Sequence, residues 1–599
     1  MCGIVGYIGT RKCVPKIIDA LEALEYRGYD SAGIAYLSNN EVNVIKEKGK
    51  IANLKEKLNM DTESNLGIGH TRWATHGEAN QINAHPHKNG NITLVHNGII
   101  ENYIDLKNDL IKKGYTFKSD TDTEVAAALI DSLYQESKDI ISSLYEAGKI
   151  IRGSYAFGVL VDGDDTLYAM RKSSPLIIAL ADDGNFIASD VPAILKFTNK
   201  YMLLDDYDIV KLTENDVTVY DKDKNIVKKE IKVFEGSLDT ATKAGYDHFM
   251  LKEINEQDKV FKDTVNYYYD GTFKSLENSF GFIKNFKKID IVACGSAYHT
   301  GVVGKYLFEN YGNTETNVEV ASEYRYKKNF YDKDTLLIVV SQSGETADTL
   351  AALRKAKEDG ITTMCIVNVV GSSIAREADH VIYIKAGFEI AVATTKAYLA
   401  QVAIFSLIAL YLGKHKNIIS DEEFKEIDNE IKNMPNFIKE TIKDNSYIDI
   451  ANKIYTNKQI FFIGRGIDYA LSLEASLKLK EISYINSVAY QAGELKHGTI
   501  SLIEKGTPVI AISTDEILNE KTISNIKEVK ARGANVILVT TMKPEENFYN
   551  DIILLKKIHP ILQAIITIIP LQLLAYQVAK NNNCDIDKPR NLAKSVTVE

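Results

Sequence analysis

Three segments of the C-terminal half recur in the same order at almost the same spacing, and this constrains the fold more than any single motif. KIDIVACG is echoed by QIFFIGRG, with Gly464 lying 169 residues after Gly295. LLIVVSQS is echoed by TPVIAISTD, with Ser513 lying 172 after Ser341, and KEDGITTMCIV by ARGANVILVT, with Gly533 lying 173 after Gly360. The pattern indicates an internal duplication in which each copy strings apolar runs between helical patterns. Uninterrupted apolar runs of this length read as parallel strands covered on both faces, so each copy is expected to be an α/β layer. The copies differ at one strand end: Ser341-Gln342-Ser343-Gly344-Glu345-Thr346 in the first, Ser513-Thr514-Asp515-Glu516 in the second. Hydroxyls and backbone N–H groups at a helix start suit an anion, whereas Asp and Glu repel one, so one anion site is expected for the pair.

Before about residue 285 the grammar differs. GIVGYIG, SAGIAYL, EVNVIKEKG, ITLVHNG, SYAFGVLVD and DVTVYD read as short alternating strands, with amphipathic helices at Tyr103–Lys113 and Asp122–Gln135. That is an α+β pattern with antiparallel sheets. The polar, turn-prone stretch beginning GSLDTATKAG marks the boundary. The expected organisation is a first domain over 2–237, a linker over 238–248, α/β subdomains over 249–430 and 431–590, and a tail over 591–599. With 71 Lys+Arg against 81 Asp+Glu, nothing attracts the chain as a whole to nucleic acid or an anionic membrane. Five cysteines without CxxC spacing argue against a disulfide framework, and no secretory signal precedes them, so a reducing cytoplasm is expected. Two uncharged stretches, Ala397–Gly413 and Ile561–Ala579, approach the length of a membrane span. They are interrupted by Gln401 and Ser406, and by Gln563, Thr567, Pro570 and Gln572, and are expected to be helices buried in a core or subunit interface.

Cys2 follows the initiator methionine. Removal of Met1 would leave a thiol and an α-amine on one residue, and an α-amine with an ordinary pKa of about 7.7–8.0 can take the thiol proton directly or through water. A cysteine at position 2 means little alone. Downstream, however, come Gly69-His70-Thr71-Arg72-Trp73-Ala74-Thr75-His76-Gly77, His96-Asn97-Gly98 and Ser119-Asp120-Thr121-Asp122. An Arg holds a carboxylate bidentately, an Asp holds an ammonium, and Asn with a Gly N–H forms an oxyanion hole. Together they suit an α-amino acid with an amide side chain. His70, His76, His85, His87 and His96 could instead be metal ligands, but they show no HExxH spacing and no acidic ligand among them.

These segments, with Cys2-Gly3-Ile4-Val5-Gly6 and Tyr26-Arg27-Gly28-Tyr29-Asp30-Ser31-Ala32-Gly33, resemble the class II glutamine amidotransferases. Those are N-terminal-nucleophile hydrolases with an αββα-layered α+β fold. The resemblance implies that Cys2 attacks the glutamine amide, that Asn97 and Gly98 stabilise the oxyanion, and that Arg72, Thr75, His76 and Asp122 bind glutamine. It also implies that Trp73, the only tryptophan, gates an ammonia channel.

In the second half, Gly295-Ser296 and Ser341 to Thr346 resemble the sugar isomerase (SIS) domain, an α/β fold with a parallel sheet. Glu474, Lys478 and Glu481 fall at i, i+4 and i+7, one helix face that by itself reads as a solvated ionic stripe. The loop Tyr490 to Gly498, with His497, and the tail Asn591 to Glu599 change that reading. As a whole the chain resembles a family of glutamine-dependent sugar-phosphate aminotransferases that join such a glutaminase to two SIS subdomains. The resemblance implies transfer of the amide nitrogen of L-glutamine to D-fructose 6-phosphate with isomerisation, giving D-glucosamine 6-phosphate and L-glutamate. That reaction would open hexosamine and UDP-N-acetylglucosamine synthesis, in a homodimer. Lys594 would condense with the ketone, Glu481 move the proton between C1 and C2, His497 assist ring opening and Lys478 support the open sugar. Ser296, Ser341, Gln342, Ser343, Thr346, Val392 and Ala593 would line the sugar phosphate. Two positions depart from the family pattern: Ala297, which replaces a hydroxyl residue, and Thr499, which replaces a proline. No cofactor and no metal are expected, since neither GxxxxGK[ST] nor GxGxxG occurs. Phosphoribosyltransferase and asparagine synthetase acceptor halves are disfavoured by the duplication. A phosphosugar-sensing regulator with a dead glutaminase would lack Cys2 or Arg72, and a deglycase-type relative would lack the whole first half.

Overall fold

A computed structural model of the 599-residue chain describes residues 2–74, 77–234, 242–330 and 333–597. The chain divides into two compact units, Met1–Ala241 together with Ala593–Glu599, and Thr242–Leu592.

Two antiparallel sheets build the first unit. One has eight strands in the order Lys232–Val233, Lys200–Leu203, Ile177–Ala181, Gly184–Ala188, Gly3–Gly9, Leu66–Arg72, Ser31–Ser38 and Glu41–Lys48. The other has seven: Ile226–Val227, Val217–Tyr220, Ile209–Leu212, Leu167–Lys172, Gly153–Val161, Ile92–Ile100 and His87–Asn89. Ile4, Ile68 and Ile187 of the first sheet share a dry core with Val95, Leu160 and Val210 of the second. The helix Cys13–Glu22 covers the outer face of the larger sheet, and Asp122–Ser137 with Ile140–Ile150 covers that of the smaller. The result is the expected αββα layering. Gly3–Gly9, expected as an alternating strand, is instead buried at every position, because both its faces are covered.

The second unit carries two five-stranded parallel sheets of identical order. They run Glu315–Val320, Lys288–Ala293, Thr335–Ser341, Thr362–Val367, His380–Tyr383, and Asn486–Gln491, Gln459–Gly464, Pro508–Ser513, Asn535–Thr540, Asp551–Leu554. The duplication is therefore real, with one adjustment to its register. The paired strands begin at Lys288 and Gln459, 171 residues apart, so the counterpart of Gly295 is Gly466 rather than Gly464. Both glycines take the left-handed conformation, at φ +56° and +55°, in turning the strand into its helix.

Between the sheets lie the helices Lys396–His415 and Pro560–Asn581, long and apolar enough to cross a membrane, with 100% and 94% of their apolar windows buried inside the protein. The polar residues that break their apolar runs are bonded in place: Ser406 Oγ donates to Ile561 O at 2.8 Å, and Gln401 Oε1 accepts from Thr300 Oγ1 at 3.2 Å. Such bonds fix the pairing of otherwise featureless helices.

Candidate active sites

In the first unit, Cys2 precedes the central strand Gly3–Gly9, half-buried, and its Sγ accepts a hydrogen bond from the Trp73 N–H at 3.3 Å. Trp73 lies just past the neighbouring strand Leu66–Arg72, so sheet pairing brings the two segments together. Asn97, on the strand Ile92–Ile100 of the other sheet, donates from Nδ2 to the Cys2 carbonyl at 2.9 Å. His70 Nε2 lies 3.1 Å from Asn97 Oδ1 and 3.0 Å from His96 O. Both partners are acceptors, so the ring proton sits on Nε2 and the Asn97 amide is held with its donor end toward Cys2. Burial drives His70 down to about 3, which keeps that ring neutral. Next to Asn97, Gly98 adopts φ +135°, and a Cβ there would lie 2.0 Å from Ser154 O, so only glycine fits.

Arg72 is buried, and its two terminal nitrogens donate to Glu78 O and Gly77 O at 3.3 Å each. Burial draws its pKa down, while Cys2, Asp122 and Asp30 act to hold it up. Asp122 opens the helix Asp122–Ser137, whose Thr121 cap accepts from the Glu124 N–H, and its Oδ2 accepts from Ile100 N at 2.9 Å. Buried Arg72 and Asp122 thus flank the same strand ends as Cys2 and Asn97. Thr75 and His76 lie outside the described residues. The remaining histidines form a neutral stack beneath the site: His70 on His85 at 4.2 Å, His85 against His87 at 5.0 Å, with burial pushing His85 and His87 well below the ordinary range. His87 bonds Thr121 and His96 bonds Thr123, so this group buttresses the helix that carries Asp122.

In the second unit, Lys288–Ala293 ends at Cys294, and the helix Gly295–Asn310 begins with Ser296. Ser296 Oγ donates to Glu474 Oε1 at 2.9 Å. Three residues on, His299 Nδ1 contacts Glu474 Oε2 at 2.8 Å. Lys478 Nζ lies 2.6 Å from Glu481 and 3.5 Å from Glu474, all on the helix Ile467–Ser483, with the Lys478 side chain 1% exposed and that of Glu474 0%. Far from being a solvated stripe, this face is buried. Burial pulls Lys478 down, but Glu481, Glu474 and Glu389 outweigh it, and the ammonium is held above its ordinary range. A lysine kept protonated is a charge partner, not a nucleophile.

Ser341 closes the strand Thr335–Ser341. Its Oγ lies 2.9 Å from Thr346 Oγ1 and accepts from Gly344 N at 3.0 Å, while Ser343 Oγ accepts from Glu345 N at 3.2 Å. Gln342 O accepts from Asn368 N, and Val392 N donates to Asp587 O at 3.0 Å. His497 ends a short turn, Leu495–His497, and is exposed. Among the described residues no side-chain hydrogen bond or ion pair joins it to Glu474, Lys478 or Glu481. Ala593 and Lys594 belong with the first unit. Sequence reasoning passed over His299, although its i+3 spacing from Ser296 on one helix face was a usable signal. It also passed over Glu389, whose carboxylate accepts from Thr395 N and Ala397 N at 2.9 and 3.1 Å and caps the helix Lys396–His415.

Comparison with known proteins bears on both units. A glutamine amidotransferase domain model matches residues 70–196, and an SIS domain model matches residues 282–411 and 453–581. The C-terminal domain of glucosamine-fructose-6-phosphate aminotransferase from Francisella tularensis is 38% identical, covering 58% of this chain and 99% of its own, at a TM-score of 0.55. Full-length relatives named glutamine–fructose-6-phosphate aminotransferase [isomerizing] are 49% identical over 610 residues in Clostridium tetani and 43% over 610 residues in Thermus thermophilus, in each case over 100% of both chains. With agreement from end to end, and with both halves matched in the same order, the chain belongs to the glutamine–fructose-6-phosphate aminotransferase (isomerizing) family.

Proposed function

We propose that this chain transfers the amide nitrogen of L-glutamine to D-fructose 6-phosphate and isomerises the product to D-glucosamine 6-phosphate, releasing L-glutamate. This is the first step toward UDP-N-acetylglucosamine. The observation that carries the proposal is the buried Glu474–Lys478–Glu481 group beside Ser296, in a chain whose other unit sets Cys2 against Asn97.

Cys2 attacks the glutamine amide carbon, and the Asn97 side-chain N–H turns from the Cys2 carbonyl to the oxyanion, joined by the Gly98 N–H. Arg72 pairs with the α-carboxylate and Asp122 with the α-ammonium, with Thr75 and His76 completing the glutamine pocket, and Trp73 gates the ammonia that leaves. Hydroxyls of Ser341, Ser343 and Thr346, with Ser296 and Gln342, hold the phosphosugar, whose remaining edges meet Val392 and Ala593. Lys594 takes the role that the family resemblance gives it, condensing with the ketone as an imine with loss of water until ammonia displaces it, while Lys478, held charged by Glu481 and Glu474, serves as a charge partner. Glu481 then carries the proton between C1 and C2, with Lys478 balancing the enolic charge and His497 assisting ring opening. We place the enzyme in the cytoplasm as a homodimer with domain limits at 2–237, 249–430 and 431–590, joined by a linker at 238–248 and followed by a catalytic tail at 591–599.

The test mixes purified protein with glutamine, with and without fructose 6-phosphate, and quantifies glutamate and glucosamine 6-phosphate together by mass spectrometry. Equimolar products are expected, with amino sugar lost in Lys594→Ala and glutamine use lost in Cys2→Ala. Glutamate without amino sugar would reject the acceptor.

A further inference from the structure

The loop between the strand His380–Tyr383 and the helix Lys396–His415 borders the buried ionic group, since Glu389 bears electrostatically on Lys478. Its backbone N–H groups are held by carboxylates and a carbonyl from three separate places. Glu389 caps the downstream helix, as described above. Glu253, 2% exposed on the helix Phe249–Asn255, accepts from Ile390 N at 2.5 Å and Ala391 N at 3.2 Å. Asp587, 7% exposed, accepts through its carboxylate from Phe249 N and Met250 N at 2.9 Å each, while its own carbonyl accepts from Val392 N at 3.0 Å. One short helix is therefore fastened at its start to the segment that leads into the C-terminal tail, and at its fifth residue, Glu253, to the loop carrying Val392. The same helix lies just inside the point where the chain enters the second unit at Thr242, whose carbonyl accepts from Lys252 Nζ at 2.6 Å. Lys396, at the head of the next helix, pairs with Glu256 at 2.7 Å.

We propose that Glu253 and Asp587 are positioning residues for the sugar half-reaction: a two-carboxylate clamp that ties the entry helix, the base of the tail and the sugar-facing loop Glu389 to Thr395 into one piece. The proposal rests on the functional reading above. Neither side chain touches the proposed reacting groups: Glu253 acts through the backbone of Ile390 and Ala391, and Asp587 through that of Phe249 and Met250, at the start of the helix that carries Glu253. Charge-assisted bonds to backbone N–H groups are strong and directional, and in a buried loop their loss shifts the loop rather than exposing it to solvent.

The test uses the full chain as wild type, Glu253→Gln and Asp587→Asn. Both substitutions keep side-chain length and shape. Asp587→Asn presents an N–H to one of two N–H donors and is expected to be the stronger. The KM for fructose 6-phosphate in amino-sugar formation should rise about tenfold, whereas glutamine hydrolysis without sugar should stay within about twofold of wild type. Hydrogen exchange supplies a readout independent of activity. The amides of Ile390 and Ala391 in Glu253→Gln, and of Phe249 and Met250 in Asp587→Asn, should exchange about tenfold faster, with Thr395 and Ala397 unchanged. An unchanged KM alongside a lowered melting temperature, a parallel loss of both half-reactions, or unaltered exchange at those amides would each overturn the clamp. If wild type makes no amino sugar at all, the functional reading falls and the exchange result alone decides whether the clamp exists.

Discussion

The two parallel sheets of the second unit share strand order and chain path, yet they have parted company at corresponding positions. At the 171-residue offset, Glu474, Lys478 and Glu481 correspond to Val303, Leu307 and Asn310, of which Val303 and Leu307 are wholly buried core. One helix spends its inward face on packing, and its twin carries Glu474, Lys478 and Glu481 there, joined by close side-chain contacts. The strand ends diverge in the opposite sense. In the first copy the Ser341 to Thr346 turn keeps its hydroxyls engaged with one another and with its own backbone. In the second, the buried Asp468 carboxylate accepts from Thr514 N at 2.8 Å, Asp515 N at 3.2 Å and the Thr514 hydroxyl at 2.5 Å. There the donors of the strand end are taken up by a side chain of the protein itself. Asp468 corresponds to Ala297, so the position that departs from the family pattern in one copy carries a buried carboxylate in the other. The two copies have thus diverged in opposite senses: hydroxyls line the strand end of one, and an ionic group stands on the helix of the other.

The sharpest way to break this comparison is Lys478→Met. It leaves Glu474 and Glu481 facing each other without a cation, and amino-sugar formation should fall by about 10²–10⁴ with sugar-independent glutamine hydrolysis retained, as separate assays of the two products would report. A loss confined to stability would return that helix face to a structural role. Next in size, Ser341→Ala should raise the KM for fructose 6-phosphate about tenfold, and Ser513→Ala should leave it unchanged. Equal effects would mean that both strand ends serve the sugar. Smallest is a pH effect. Burial pushes Asp468 up to about 6 from 3.8, so between those pH values the folded chain holds a proton that the unfolded chain has lost. Stability contributed by this residue is present below pH 4 and fades as pH rises through 6. The stability gap between wild type and Asp468→Asn, read by denaturant unfolding, should shrink by about 3 kcal/mol from pH 4 to pH 7. A gap that widens would show the carboxylate to be ionised throughout.

The duplication, the place of Cys2 at the head of a strand and the strand-end motifs were legible because each is local: a strand, its turn and the first helical residues carry the signal within about ten positions. The helix face Glu474, Lys478, Glu481 was legible as a pattern, but its burial was not, because what covers it comes from Ser296 and His299, at least 175 residues away in sequence. Asp468, Glu253 and Asp587 gave no signal at all. Single carboxylates in polar surroundings look like surface, and only pairing with backbone N–H groups up to 338 residues distant turns them into structure. The two-position ambiguity between Gly464 and Gly466 has a similar origin. Both follow an apolar run, and only strand pairing sets which of them turns the chain.

The neutral histidine stack under Cys2 carries a cost in acid. His70 resists protonation down to about 3, whereas the same ring in an unfolded chain accepts a proton near 6.5, so below that pH the unfolded first unit gains protons that the folded one refuses. At pH 5 this amounts to about 2 kcal/mol from His70 alone, with His85 and His87 pulling the same way, while Asp468 in the second unit pulls the other. Mild acidification therefore strains the two halves unequally. The rings that hold Asn97 toward Cys2 and support the helix of Asp122 are thus the same groups that make the first unit's stability fall as acid is added.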